Sequence, residues 1–161
     1  MAQYSAYQVT NWFLAWTDDD PEILITNLKM QKLLYYAQAH YLANTNEPLF
    51  QNAIEAWDKG PVVPDIYYKY SENSKLIYKL THKHPPLELD EDFDFNQFTH
   101  YDNQFLIQIW ETYGKYDAED LVDMTHQEKP WIENYYLEKD AKKVISQKEM
   151  KQAFSASLVA A

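Results

Sequence analysis

The sequence predicts a mainly α fold: a compact single-domain bundle spanning residues 1–161, with about six to eight helices and room for one or two short β-strands. Three observations predict it. Apolar residues recur at i, i+3, i+4 and i+7 in most of the chain. Ser5, Thr26, Asp117 and Ser146 stand where N-caps belong, each just ahead of such a stripe. The chain holds only two glycines, and its seven prolines fall mostly between the stripes.

The first helix is expected over 6–17, with Val9, Trp12, Phe13 and Trp16 as its stripe and TDDDP as its end. The second, over 27–44, is apolar on two sides. Met30, Leu33, Leu34, Ala37 and Tyr41 form one side; Leu28, Tyr35 and Leu42 form the other. A helix of that kind is surrounded by neighbours, so this is the expected central helix. Gln31 and Gln38 lie between the stripes and need hydrogen-bond partners wherever they are buried. Residues 53–57 read as a short extended piece.

The stretch IEAWDKGPVVPDIYYKY, residues 54–70, carries one of the two glycines and two prolines. Gly60 precedes a proline and is free to take positive φ; Val63 also precedes a proline and is held extended. Pro64 suits the first position of a helix, where a missing N–H costs nothing, and Asp65 suits its first turn. GPVVP is therefore a stiff connector delivering an aromatic helix with Tyr67, Tyr68 and Tyr70. Two uses fit it: a pre-ordered binding surface, or a corner that only orients two helices.

Residues 71–99 are less regular. LELDEDFDFNQF alternates acids with Leu and Phe, as an edge strand or an extended loop does. Such a segment either docks on a basic groove or runs over the surface with its apolar residues tucked down. Order returns with Phe105, Leu106, Ile109, Trp110 and Tyr113, closed by Gly114 as a C′ residue. Further helices are expected from Asp117 to about 126, from Pro130 with Trp131, Ile132, Tyr135 and Tyr136 inward, and from Ser146, where Ser-x-x-Glu is a capping box.

Composition narrows the function. Twenty-five acids face 14 lysines and no arginine, a formal net charge of −11. A nucleic-acid backbone repels such a chain, so direct binding to DNA or RNA is not expected. The acidity suits a basic protein partner, and also solubility alone. Cysteine is absent, no apolar run approaches the ~20 residues of a membrane span, and MAQYSAYQVT lacks the features of a signal peptide. The expected location is the cytoplasm, with no membrane contact.

Two glycines leave no glycine-rich phosphate loop and no nucleophile elbow. No cofactor, no metal and no catalytic residue is expected. His82 and His84 are poor metal candidates beside two prolines. Asp123-x-x-His126 is half of a di-metal bundle motif without its second half; a metal-dependent enzyme stays as an alternative on that pair. The ending ASLVAA is either a frayed helix end or an apolar degradation tag of the type read by bacterial AAA+ proteases.

The blocks TNLKMQKLLYYAQAHYL, PLF, IEAWDKGPVVPDIYYKY and LVDMTHQEKPW, in that order and spacing, resemble the Panacea domain family of phage-associated GepA-like and SocA-like proteins. The resemblance is clearest over residues 5–136. It implies a mainly helical fold and an antitoxin that neutralises a cognate protein toxin by direct stoichiometric binding. One branch of the family implies an alternative, a proteolytic adaptor delivering its toxin to a AAA+ protease. His40 stands where the family pattern leads one to expect an aromatic or aliphatic residue, residues 71–99 match no family block, and no helix-turn-helix is appended. The expected partner surface is the corner Gly60, Pro61, Val62, Val63 and Pro64 with Tyr67, Tyr68 and Tyr70, plus Lys32, Tyr36 and His40 on the central helix.

Overall fold

A computed structural model describes residues 4–71, 87–136 and 141–155. In chain order the elements are α1 (Ala6–Trp16), α2 (Asn27–Thr45), β1 (Glu55–Trp57), β2 (Gly60–Val62), α3 (64–71 within the described residues), α4 (His100–Tyr113), α5 (Ala118–Thr125), α6 (Lys129–Tyr135) and α7 (Gln147–Phe154). The fold is mainly α, as the stripes predict. Ser71 of SENS is the last described residue of α3; the rest of SENS, the KLIYKL and THKHPP stretches with His82 and His84, and the ASLVAA ending beyond Ser155 lie outside the described residues.

The predicted caps form. The hydroxyls of Ser5 and Ser146 accept from the backbone N–H of Gln8 and Glu149, and both close reciprocal capping boxes. Asp117 does the same with Asp120, and Thr26 accepts from Lys29 N–H. Each such cap is worth about 1 kcal/mol. Asn46 ends α2 in the left-handed region at φ 63°.

Every residue from 30 to 42 is buried, so α2 is the central helix on all its faces. It touches α1, α4, α5, α7 and β2. Both glutamines find partners. Gln38 donates to Phe50 O at 2.7 Å and accepts from Leu49 N–H at 2.8 Å. Gln31 donates to Asn27 Oδ1 and accepts from Val63 N–H, both at 2.8 Å. These amides complete the backbone bonding of residues 49–50 and of Val63.

β1 and β2 pair antiparallel, with Trp57 opposite Gly60. On its other edge β1 is met by returning chain: Ala56 N–H donates to Lys143 O and Ile145 N–H to Ile54 O, each at 2.8 Å. Residues 87–98 form no strand. They run extended into one 3₁₀ turn at Phe95–Gln97, with Leu87, Leu89 and Phe93 half-buried against the core. Gly114 differs from its expected role. Its φ is −64°, and a Cβ there would meet the Trp110 ring at 2.5 Å, so glycine serves close packing and not a left-handed turn. Tyr136 also departs from expectation: it points outward, at 58% exposure, while Trp131 takes the inward place.

An unanticipated polar seam lies beside α2. The Tyr36 hydroxyl donates to Glu128 Oε2 at 3.0 Å. The Tyr36 ring stacks on Tyr113 at 3.9 Å, and the Tyr113 hydroxyl shares a 2.6 Å hydrogen bond with His40 Nε2. Phe154 of α7 covers Tyr35, Tyr36 and His40. Burial pushes the Glu128 carboxyl up to about 7, against the pull of its tyrosine partners, and burial holds the His40 imidazole down to about 4. The Tyr35 hydroxyl faces the same carboxyl, and burial followed by that charge raises its pKa.

Three outcomes follow. Replacing Gln38 by Leu strands two buried N–H groups and a carbonyl, and chemical denaturation should register a loss of about 3 kcal/mol. Gly60→Ala should destabilise by at least about 2 kcal/mol, because φ is +102° and the new Cβ lies 2.6 Å from Thr125 Oγ1. The third concerns pH. A raised Glu128 pKa gives stability that is present below its ordinary value of 4.5 and lost as pH climbs through 7. A lowered His40 pKa gives stability that is lost as pH falls from 6.5 through 4. The two slopes oppose one another in mildly acidic solution. Relative to the parent, Glu128→Gln should gain stability as pH rises across that window, and His40→Asn should gain as pH falls. Curves parallel to the parent in both variants would show that neither group titrates as described.

Candidate functional site

Helix α2 grips the 60–67 corner from behind. Lys32 Nζ donates to Pro61 O at 2.8 Å, Gln31 Oε1 accepts from Val63 N–H at 2.8 Å, and Asn27 Nδ2 donates to Tyr67 O at 3.0 Å. In front, Asn52 ties Asp65 to the start of α1, donating to Asp65 Oδ2 at 2.7 Å and accepting from Ala6 N–H at 2.9 Å. Pro64 opens α3, as its fixed φ favours.

Gly60 supplies the hairpin's positive φ. Neither Asp58 nor Lys59 takes positive φ, so the connection is not the primed two-residue turn; the left-handed residue falls at Gly60 instead. The Lys32 side chain and Thr125 fill the space where a Cβ would stand. Lys32 is wholly buried, and burial, aided by the nearby Lys59 charge, lowers its pKa to about 7. Glu119 pulls the other way, though from the surface.

The outward face of the corner is aromatic. Trp57 meets Tyr67 edge-on at 5.0 Å and Tyr68 at 5.7 Å. Lys142 Nζ sits 4.4 Å from the Trp57 ring centroid and 3.5 Å from the Tyr68 hydroxyl. Around the hairpin turn the surface continues onto α6. Trp131 Nε1 donates to Trp57 O at 2.7 Å, the Tyr135 hydroxyl donates to Asp58 Oδ1 at 3.0 Å, and Tyr136 projects beside them. His126 stacks on Trp131 at 3.9 Å and donates from Nε2 to Asp58 O at 3.1 Å. Burial lowers the His126 pKa, with the Asp58 carbonyl opposing.

The predicted residues therefore divide. Tyr68 is 52% exposed; Pro64, Tyr67 and Tyr70 are half-buried. Gly60, Pro61, Val62, Val63, Lys32, Tyr36 and His40 are buried. Tyr67 and Tyr68 come together with Trp57, whereas Tyr70 faces Tyr7 and Asp90 and has its pKa pushed up to about 12, first by burial. Lys142, Asp58, Tyr135 and Tyr136 join the surface without having been expected there. The Tyr135–Tyr136 pair was visible in the sequence but read as inward, and Lys142 is brought in only by the chain that returns along β1. His126 is engaged by Trp131 and Asp58, and among the described residues no group of three or more His, Asp or Glu gathers as metal ligands. No helix among the described residues is long and apolar enough to cross a membrane.

The family described as "Antitoxin SocA-like, Panacea domain" matches residues 30–132, from α2 to the middle of α6. Antitoxin SocA of Caulobacter vibrioides (strain NA1000 / CB15N) is 44% identical over 52 residues, covering 32% of this chain and 28% of that protein. The alignment thus spans less than a third of either. No solved structure matches the chain. The match over residues 30–132 takes in the gripped corner, the hairpin and the polar seam on one continuous stretch, and the chain belongs to the Antitoxin SocA-like, Panacea domain family.

Proposed function

We propose that the chain is the antitoxin of a toxin–antitoxin pair and neutralises a protein toxin by direct, stoichiometric binding. Family membership supports the antitoxin role. The observation that carries the binding mode is the aromatic surface of Trp57, Tyr67 and Tyr68 on a corner whose backbone is already tied down. Tyrosine and tryptophan offer large amphipathic area with few rotors, and they dominate the energetic centres of protein interfaces. A corner gripped by α2 has little entropy left to lose on binding. The net charge of −11 would speed encounter with a basic toxin more than it would tighten the complex.

In this reading Tyr68, Tyr136 and Lys142 touch the toxin. Lys32, Gly60, Pro61, Val62 and Val63 set the shape of the surface from inside, and Tyr36 and His40 act at one further remove, through the seam. The partner is sought in the neighbouring open reading frame.

Co-expression of that toxin with the wild-type chain should restore growth, and the purified pair should form a fixed-ratio complex in which the toxin persists. Tyr68→Ala with Tyr136→Ala should leave the melting curve in place, weaken binding by about 30-fold or more, and abolish rescue. Undiminished rescue and affinity in that double variant would move the interface elsewhere. Disappearance of the toxin only in cells holding a AAA+ protease would assign the adaptor mechanism instead.

A further inference from the structure

Two acidic runs carry more carboxylates than their local hydrogen bonds use, with Asp20, Asp90 and Asp94 accepting from nearby backbone N–H groups and Asp90 also from the Tyr7 hydroxyl. Residues 17–22, TDDDPE, carry four carboxylates and residues 88–94, ELDEDFD, carry five, with no lysine in either. They are some seventy positions apart in sequence, yet the fold sets them side by side. Leu87 N–H donates to Ile25 O at 2.9 Å and Asp90 N–H to Asn11 Oδ1 at 2.8 Å, which lays the second run along α1 and the connector that leaves it. Beside the first run lies a cleft of about 170 Å³, lined by Leu14, Ile23, Leu24, Leu87 and Leu89 together with Asp18 and Asp20, Leu89 being what the second run contributes to it.

The apolar groups here are not hidden. Leu24, in the cleft wall, is 63% exposed; outside the lining, Trp16 is 43% exposed and stacks on Trp12 of the core at 5.4 Å, with Phe95 edge-on to it at 6.2 Å. An exposed leucine beside carboxylates serves neither the core nor solubility. Among the described residues the one ion pair is Lys59 with Glu119, so none of these nine carboxylates is neutralised by a salt bridge there.

We propose that this cleft is a second docking surface, built for an extended, lysine- or arginine-rich segment of a partner protein that carries one aliphatic or aromatic anchor. The anchor enters between Leu24 and Leu87, and the flanking cations meet the two acidic runs. Charge complementarity selects this occupant: a second copy of so acidic a chain, or a nucleic acid, would bring like charge to like. The proposal shares no residue with the tyrosine surface and does not depend on the antitoxin reading.

The full chain is titrated, by fluorescence anisotropy, into three labelled synthetic peptides: one alternating lysine with leucine around a central leucine anchor, one with the leucines replaced by serine, and one with the lysines replaced by glutamate. The first should bind in the micromolar range and weaken steeply as salt rises; the other two should bind at least about tenfold more weakly. Asp18→Lys with Asp92→Lys, and separately Leu24→Ser, should each weaken the first peptide by about tenfold or more while Tyr68→Ala leaves it unchanged. All these positions are at the surface, and thermal melts confirm that the variants fold. Equal binding of the serine peptide would reduce the surface to bulk charge and overturn the proposal. So would failure of the first peptide to bind, indifference to the charge reversals or to Leu24→Ser, or self-association in sedimentation that Leu24→Ser abolishes.

Discussion

One helix side reaches through the protein and holds a loop. Asn27, Gln31 and Lys32 of α2 bond to Tyr67 O, Val63 N–H and Pro61 O, and these three contacts fix the joint between β2 and α3. A buried loop carries backbone groups that water cannot reach, and each one left unmade costs about 1–3 kcal/mol. Side chains of a surrounded helix meet that demand here. Gln38 serves residues 49–50 in the same way. The central helix is thus a scaffold in two senses: its apolar residues fill the core, and its polar residues complete the loops.

The same economy explains the tension inside the protein. Lys32 is buried and Glu128 half-buried, neither with an ionic partner among the described residues, and burial drives their pKa values toward neutrality from opposite sides. A neutral carboxyl or amine costs far less to bury than an ion. His40 fits the same pattern, held neutral under Phe154 and hydrogen-bonded to Tyr113. Most other acids lie at the surface, while Asp102 is buried and accepts from the Tyr4 hydroxyl at 2.6 Å.

Much of this was legible in the sequence because it rests on local rules. The helical stripes, the four caps, the positive φ at Gly60 and the helix-opening Pro64 each follow from a residue and its near neighbours. The two glutamines on α2 announced a need for partners, though not which groups would supply it. What escaped depends on contacts far apart in the chain. Glu128 sits just ahead of a Lys-Pro-Trp helix start and looks like an ordinary exposed acid; only packing against α2 turns it inward to Tyr36. Lys32, Tyr36 and His40 were read as partner contacts because polar and amphipathic side chains so often face outward; their burial comes from α5, α7 and the hairpin closing over them. Tyr136 erred the other way, since helical spacing cannot tell which of two adjacent tyrosines keeps the inner place. The pairing of the two acidic runs needed the fold itself.

The central claim is that α2 makes the corner part of the core and not a surface loop. Native-state hydrogen exchange at the Val63 amide tests it most directly. If the account holds, that amide is protected as strongly as those in the middle of α2, exchanges only when the whole protein unfolds, and loses protection selectively in Gln31→Ala. Exchange of Val63 at the rate of an exposed loop, in a protein whose α2 amides stay protected, would contradict it.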